Sequence, residues 1–156
     1  MSTSPRPGRH LFVTIPVADL ERSKAFFAAL GFAFDPDFSG ETAACMVVGE
    51  QASVMLGSHE TFAQYSHRPM ADPTTHALAL FSFDVPTRDD VDAVAAAALA
   101  AGGAEADGPE DLGFMYSRSF FDLDGHGWQV MWTDPAGAPA PEAAPAGAPA
   151  SSPVAG

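Results

Sequence analysis

Hydrophobic and polar residues alternate along the first part of this chain with two successive periods. Residues 10–17 (HLFVTIPV) alternate with the period of a β-strand. Residues 20–30 (LERSKAFFAAL) have the spacing of an amphipathic helix, with Asp19 as the predicted N-cap and Gly31 as the residue that ends it. Three short strand patterns follow, in residues 31–35, 42–49 and 52–58.

The second half of the chain repeats this order. Residues 76–85 (HALALFSFDV) are a strand pattern, and Thr87 with Asp90 resembles a capping box at the start of a helix that Gly102-Gly103 closes. Three further strand patterns complete the half, in residues 104–111, 114–124 and 126–134. The sequence therefore predicts an α+β fold of two βαβββ modules, at about 9–60 and 74–134, joined by a linker.

The last two strand patterns form a predicted hairpin. Asp124-Gly125 is a tight-turn dipeptide, because glycine accepts the positive φ that such turns need. Beyond the turn, Trp128 and Val130 share one face of the strand, and Gln129 lies on the opposite face. The histidine in the turn, His126, is expected to point to solvent.

Composition and charge narrow the class of protein. The chain has 156 residues and a formal net charge of −13, which disfavours binding to nucleic acids and to anionic membranes. No apolar run approaches the length of a membrane span, and the single cysteine, Cys45, reads as a core residue. We expect a cytoplasmic protein with a loose N-terminus (residues 1–8) and a disordered or polyproline-like tail rich in Pro, Ala and Gly (residues 135–156).

Three features together resemble the vicinal oxygen chelate superfamily, which includes glyoxalase I, extradiol dioxygenases, fosfomycin-resistance transferases and bleomycin-binding proteins. They are the segment TIPVADLERSKAFFAALGF, the segment AAGGAEADGPEDLGFMYSRSFFDLDGHGWQVMW and the doubled βαβββ order. The resemblance implies a cup-shaped mixed sheet, the glyoxalase/bleomycin resistance fold. Since this fold carries several chemistries and also pure binding proteins, the resemblance does not select a reaction.

The resemblance also implies where a divalent metal would be held, when one is present. The four ligand positions carried over to this chain are Phe12, Met55, Leu78 or Leu80, and Gln129. Phenyl, thioether and alkyl groups do not suit Zn, Ni, Mn or Fe in such sites, which take carboxylate and imidazole. The sequence therefore predicts no metal cofactor. The alternative is a divalent metal held by His76 and Gln129, with His10 as a further ligand, if strand slips by an even number of residues bring the histidines to the cup.

The cup lining expected from the family pattern and from strand alternation is apolar and aromatic, with a few neutral hydrogen-bonding groups. Such a wall suits a bulky or aromatic organic ligand. The expected ligand-binding residues are Phe12, Thr14, Met55, Phe114, Tyr116, Ser117, Ser119, Phe121, Gln129 and Met131, with Phe114 and Tyr116 at the rim. Arg118 is expected on the opposite face, and catalytic residues are unknown, although the loop carboxylates Glu41, Glu110 and Asp111 are near enough in sequence to close over the cup.

Three functions follow as hypotheses. The first is a metal-free protein of the bleomycin-resistance type that sequesters an aromatic or bulky small molecule, as a homodimer. The second is a divalent-metal lyase or dioxygenase of the glyoxalase type. The third is a member whose cup is filled by its own side chains. The sequence favours the first hypothesis and leaves open whether any catalysis occurs.

Overall fold

The computed structural model describes residues 8–137, which form the two predicted βαβββ modules. The N-terminal residues before this range, and the predicted tail beyond it, lie outside the described residues. The first module comprises β1 (Leu11–Val17), α1 (Leu20–Ala29), β2 (Ala33–Asp35), a short 3-10 helix (Pro36–Phe38), β3 (Ala43–Gly49) and β4 (Ala52–Ser58). A helix, α2 (His59–Ser66), follows it. The second module comprises β5 (Leu80–Asp84), α3 (Arg88–Ala100), β6 (Ala104–Asp111), β7 (Met115–Phe121) and β8 (Gly127–Thr133).

Each module folds into a four-stranded mixed sheet with the same strand arrangement. The orders are β1-β4-β3-β2 and β5-β8-β7-β6, and in each sheet the first strand pairs in parallel with the last. The register sets Thr14 beside Met55 in the first sheet and Ser82 beside Gln129 in the second. The predicted α+β fold of two βαβββ modules is therefore confirmed, and Met55 and Gln129 each lie on the last strand of their module.

The predicted helix boundaries are confirmed by their caps. The Asp19 carboxylate accepts a hydrogen bond from the Arg22 N–H, and the Thr87 hydroxyl accepts one from the Asp90 N–H. Gly31, after α1, has φ +98°, a value that glycine adopts without strain. These local signals depend on residues close in sequence, which is why the sequence alone located both helices.

Two boundaries were predicted incorrectly. The linker contains α2, whose first turn is capped by the Ser58 hydroxyl as it accepts a hydrogen bond from the Thr61 N–H. The strand expected from residue 76 begins only at Leu80, because its partner β8 begins at Gly127, the residue opposite Leu80. Residues 76–79 therefore connect the linker to β5 without belonging to the strand.

A single hydrophobic core lies between the two sheets and includes residues of both modules. Phe27 of α1 packs on Trp128 of β8 with ring centroids 5.1 Å apart, and Phe32 packs on Phe83 of β5 at 5.0 Å. The helices thus occupy the space between the sheets. The sheet faces that carry Thr14 and Gln129 point away from this core, and we call them the outer faces of the first and second sheets.

None of the helices within residues 8–137 is long and apolar enough to cross a membrane.

Candidate functional site

Gln129 lies at the centre of the outer face of the second sheet and is hydrogen-bonded on both sides. The Ser82 hydroxyl of β5 donates to its Oε1 at 3.3 Å, and its Nε2 donates to the Ser117 hydroxyl of β7 at 3.4 Å. Ser119 lies directly beside Gln129 in the strand register. The amide is therefore oriented across three strands by two neutral hydroxyl groups, so the centre of the second-sheet outer face presents uncharged donors and acceptors.

Two adjoining depressions share Gln129 and Ser119, and we call them together the Gln129 cleft. One, of about 360 Å³, is also lined by Ser117 and by residues 107–110 of the edge strand β6. The other, of about 170 Å³, is lined mainly by apolar groups, including Leu80 and Phe121. The cleft therefore has a polar part and an apolar part on either side of one amide.

The expected ligand-binding residues fall on three surfaces. In the second sheet, strand alternation and register place four of them on the outer face with Gln129, namely Ser117, Ser119, Phe121 and Met131. In the first sheet, three share the outer face, namely Phe12, Thr14 and Met55. Tyr116 lies on the opposite side of its sheet. Phe114 precedes β7, where its carbonyl accepts a hydrogen bond from the Asp134 N–H at 2.7 Å.

The expected position of Tyr116 at the cup rim is wrong. Tyr116 pairs with Trp132 in the register of β7 and β8, so it shares the helix-facing side of the sheet. Its hydroxyl donates to the Asp92 carboxylate of α3 at 2.7 Å, and this hydrogen bond raises the pKa of Tyr116. Tyr116 and Ser117 are neighbours within β7, so their side chains face opposite sides of the sheet.

Arg118 lies on the helix-facing side of its sheet, as predicted. Its guanidinium approaches the Asp92 carboxylate at 3.6 Å and the Glu105 carboxylate at 3.2 Å. Arg88 forms a bidentate pair with Asp111, at 2.9 and 2.7 Å, and this pairing lowers the pKa of Asp111 to about 2. Asp111 is thus engaged by an arginine, while Glu110 of β6 lines the Gln129 cleft and Glu41 lies exposed in the first module.

The residues at the family's metal positions do not fit a divalent cation. Phe12 and Leu80 offer no donor atom, Met55 offers a thioether, and Gln129 offers a neutral amide already bonded to two serines. Of the two alternatives in the second module, Leu80 lies on β5 and Leu78 precedes it. Within residues 8–137, no three His, Cys, Asp or Glu side chains come together in a way that could hold a metal.

The two histidines of the metal alternative lie in different settings. His10 stacks on Phe12 at 4.3 Å, and its Nε2 is 2.8 Å from the Ser53 hydroxyl, on the outer face of the first sheet. His76 lies in the exposed segment before β5, where its Nδ1 is 2.8 Å from the Thr75 hydroxyl. It borders a separate cavity of about 220 Å³ between this segment and the hairpin turn.

The expectation that His126 points to solvent is wrong. Its side chain is only 3% exposed, and its Nε2 is 2.7 Å from the Pro16 carbonyl oxygen of β1. The turn packs against the first module, so the side chain is enclosed by residues distant in sequence.

The Asp-Leu-Asp-Gly-His turn joins the two modules through a partly buried hydrogen-bond network. The Asp124 carboxylate accepts hydrogen bonds from the Ala18 N–H at 2.8 Å and from the Ser23 hydroxyl at 3.3 Å, at the start of α1. The buried Asp122 carboxylate accepts three more, from the N–H groups of Asp124 and His126 and from Trp128 Nε1, at 2.9 to 3.0 Å. This turn therefore anchors β8, and with it Gln129, against the first module.

Ser82 and Asp107 are among the cleft residues that were not predicted from the sequence. Ser82 and Asp107 reach the Gln129 cleft through pairing with β8 and β7. Alternation along residues 80–84 places Ser82 on the same side as Leu80, so that signal was present. No comparable pattern exists in β6, where the register with β7 shifts twice.

Comparison with known proteins supports the fold. Residues 9–49 match the bleomycin resistance protein-like N-terminal family. Among solved structures, a hypothetical protein from S. aureus, SA1046, is 27% identical, with a TM-score of 0.68 over 84% of this chain and 94% of that one. No curated protein matches this chain.

Two further solved structures carry family names. A glyoxalase/bleomycin resistance protein/dioxygenase family enzyme from Burkholderia phytofirmans is 18% identical, with a TM-score of 0.65 over 77% of this chain and 94% of that one. A glyoxalase-related enzyme from Fulvimarina pelagi is 17% identical, with a TM-score of 0.67 over 79% of this chain and 86% of that one. These structures confirm the predicted glyoxalase/bleomycin resistance fold, and the sequence of the first module is similar to the bleomycin resistance protein-like N-terminal family.

Proposed function

Because this chain has the glyoxalase/bleomycin resistance fold of the vicinal oxygen chelate superfamily, we propose that it is a metal-free small-molecule-binding protein that sequesters its ligand. The observation that carries this proposal is the state of Gln129. At the place where the family would put a metal-binding carboxylate, the chain has a neutral amide that two serine hydroxyl groups hold in one orientation.

The Gln129 cleft supports binding of an organic molecule better than it supports catalysis. Leu80 and Phe121 supply apolar surface, whose burial contributes about 25 cal/mol per Å². Gln129 and the serines supply hydrogen bonds, each contributing about 0.5–1.5 kcal/mol. Ser117, Ser119 and Gln129 have neutral side chains, and the carboxylates that line the described cleft, Asp107 and Glu110, are exposed on its edge strand. Orientation of a ligand is therefore the role that the central groups suit.

The binding test uses three acridine dyes of similar shape, namely neutral acridone, cationic 9-aminoacridine and anionic acridine-9-carboxylate. We expect at least one dye to bind saturably in a fluorescence titration, with equal affinity in EDTA and in added Zn²⁺, Ni²⁺, Mn²⁺ or Fe²⁺. Gln129→Ala should weaken binding about 5–10-fold, as expected for the loss of one or two hydrogen bonds. Gln64→Ala, at an exposed glutamine of α2, is the matched control and should leave the affinity unchanged.

Two outcomes oppose the proposal. Binding that appears only with a divalent metal supports the metal-dependent alternative. Equal affinity in the wild-type, Gln129→Ala and Gln64→Ala proteins removes the Gln129 cleft as the binding site.

We further propose that the protein is a homodimer in which each ligand-binding cup is completed by the partner chain. Both sheets of one chain turn their outer faces away from the shared core, which leaves each face open to a partner chain. The exposed apolar side chains support this assembly, since Leu80 is 82% exposed and Leu11 63% exposed at strands with one free edge.

Sedimentation velocity tests the dimer. We expect a dimer at micromolar concentration, and we expect Leu80→Glu to convert it to monomer because a carboxylate replaces apolar surface at the contact. Leu99→Glu, at an exposed leucine near the end of α3, is the control and should remain dimeric. A wild-type protein that sediments as a monomer at every concentration would refute the dimer. The binding proposal would stand, because the dye titration tests it separately.

A further inference from the structure

Two carboxylates border the polar part of the Gln129 cleft. Asp107 and Glu110 lie on the edge strand β6, and the register pairs them with Ser119 and Ser117, both on the second-sheet outer face. Both carboxylates are exposed, whereas Ser117, which accepts the hydrogen bond from Gln129, is 1% exposed at the floor of the cleft. Both carboxylates therefore belong to the wall of a formed cleft.

The positive charges of the second module lie elsewhere. Arg118 pairs with Asp92 and Glu105 on the helix-facing side. Arg88 pairs with Asp111, and its guanidinium stacks over Tyr116 and Trp132, 5.1 Å from each ring centroid. Both arginines in the described part of this module are thus engaged away from the cleft.

A third carboxylate adds to the negative field. Asp84 alternates with Ser82 along β5 and so shares the second-sheet outer face. Among the described residues that line the Gln129 cleft there is no lysine, arginine or histidine. The cleft therefore combines uncompensated negative charge with neutral hydrogen-bonding groups and an adjoining apolar depression.

From this arrangement we infer that the ligand of the Gln129 cleft is an organic cation with a flat apolar part. An amine or guanidinium group would lie between Asp107 and Glu110, and the apolar part would lie against Leu80 and Phe121. The Gln129 amide, between these two parts, accepts or donates a hydrogen bond at their junction. This inference rests on the proposed binding function and specifies its ligand class.

The three acridine dyes separate this inference from the binding proposal, because they share a ring system and differ in charge. We expect 9-aminoacridine to bind about tenfold more tightly than acridone, and acridine-9-carboxylate to bind most weakly. The two carboxylates attract the cationic dye and repel the anionic one, and a tenfold difference in affinity corresponds to about 1.4 kcal/mol. Raising the salt concentration should reduce the preference.

The double variant Asp107→Asn/Glu110→Gln should lose about fivefold or more in affinity for 9-aminoacridine and change the affinity for acridone by less than about twofold. The control, Glu21→Gln/Glu50→Gln, removes two negative charges from exposed positions of the first module and should preserve the preference. Equal binding of the cationic and neutral dyes, or a preference that survives the Asp107/Glu110 change, overturns the cation inference while binding itself stands. Failure of all three dyes to bind overturns the proposed function.

Discussion

Replacing Asp122 by alanine is expected to lower the free energy of unfolding by about 3–5 kcal/mol, because it leaves buried donors without an acceptor. The Asp122 carboxylate accepts hydrogen bonds from two backbone N–H groups and from Trp128 Nε1. Urea denaturation followed by circular dichroism measures the change. Asp134→Ala, at a turn aspartate that accepts one hydrogen bond from Ala136, is the control and should cost about 1 kcal/mol or less.

The pH dependence of stability gives a second readout for the same carboxyl group. Burial raises the pKa of Asp122 above its ordinary value of 3.8, against the opposing charge of His126 and the hydrogen bond from Trp128. The folded protein therefore binds this proton more tightly than the unfolded chain does. The stabilisation that protonation of Asp122 gives the folded state is greatest below pH 3.8. It declines as the pH rises through the raised pKa. The free energy of unfolding of the Asp122→Asn variant, measured against pH, should lack this decline. Identical pH profiles for the wild-type and Asp122→Asn proteins would contradict the raised pKa of Asp122.

Phe27→Ala is expected to lower the free energy of unfolding by about 3–5 kcal/mol, through lost burial and the cavity left behind. Phe27 is 1% exposed in the first module, and its ring packs on Trp128 of the second. Both tryptophans of the chain, Trp128 and Trp132, lie on β8. Tryptophan fluorescence therefore reports on the second module, while far-ultraviolet circular dichroism reports on both.

We expect the two signals to shift together in Phe27→Ala, as one cooperative transition, because the modules share a core. Phe38→Ala, at a phenylalanine that is 61% exposed, should change stability by less than about 1 kcal/mol. A tryptophan transition that stays in place while the circular dichroism transition shifts would mean that the modules unfold independently.

The hairpin turn was predicted correctly from the sequence, but the environment of its histidine was not. The Asp124-Gly125 dipeptide predicted the turn, and Gly125 has φ +93°. Alternation correctly placed Gln129 opposite Trp128 and Val130. The environment of His126 was wrong, because its neighbour Pro16 is 110 positions away in the chain.

In the candidate site, positions within one strand were predicted, whereas contacts between distant strands were not. Ser117 and Ser119 were predicted on the face of Gln129 because they alternate along one strand. The contact between Ser82 and Gln129 was not predicted, because it depends on parallel pairing between residues 47 positions apart. Tyr116 was misplaced because it lies within β7, which begins at Met115, and so alternates with Ser117.

The sequence by itself determined the two βαβββ modules, the caps of α1 and α3, the hairpin and the face on which most strand residues lie. These features follow from backbone preferences and side-chain periods that act between residues close in sequence. Only the tertiary structure decided that the modules pack through their helix-facing sides, that the Asp122–His126 turn is buried, and that two serines orient Gln129 beside uncompensated carboxylates. Those outcomes depend on which surfaces exclude water together and which distant donors meet each acceptor, and no local pattern in the chain encodes them.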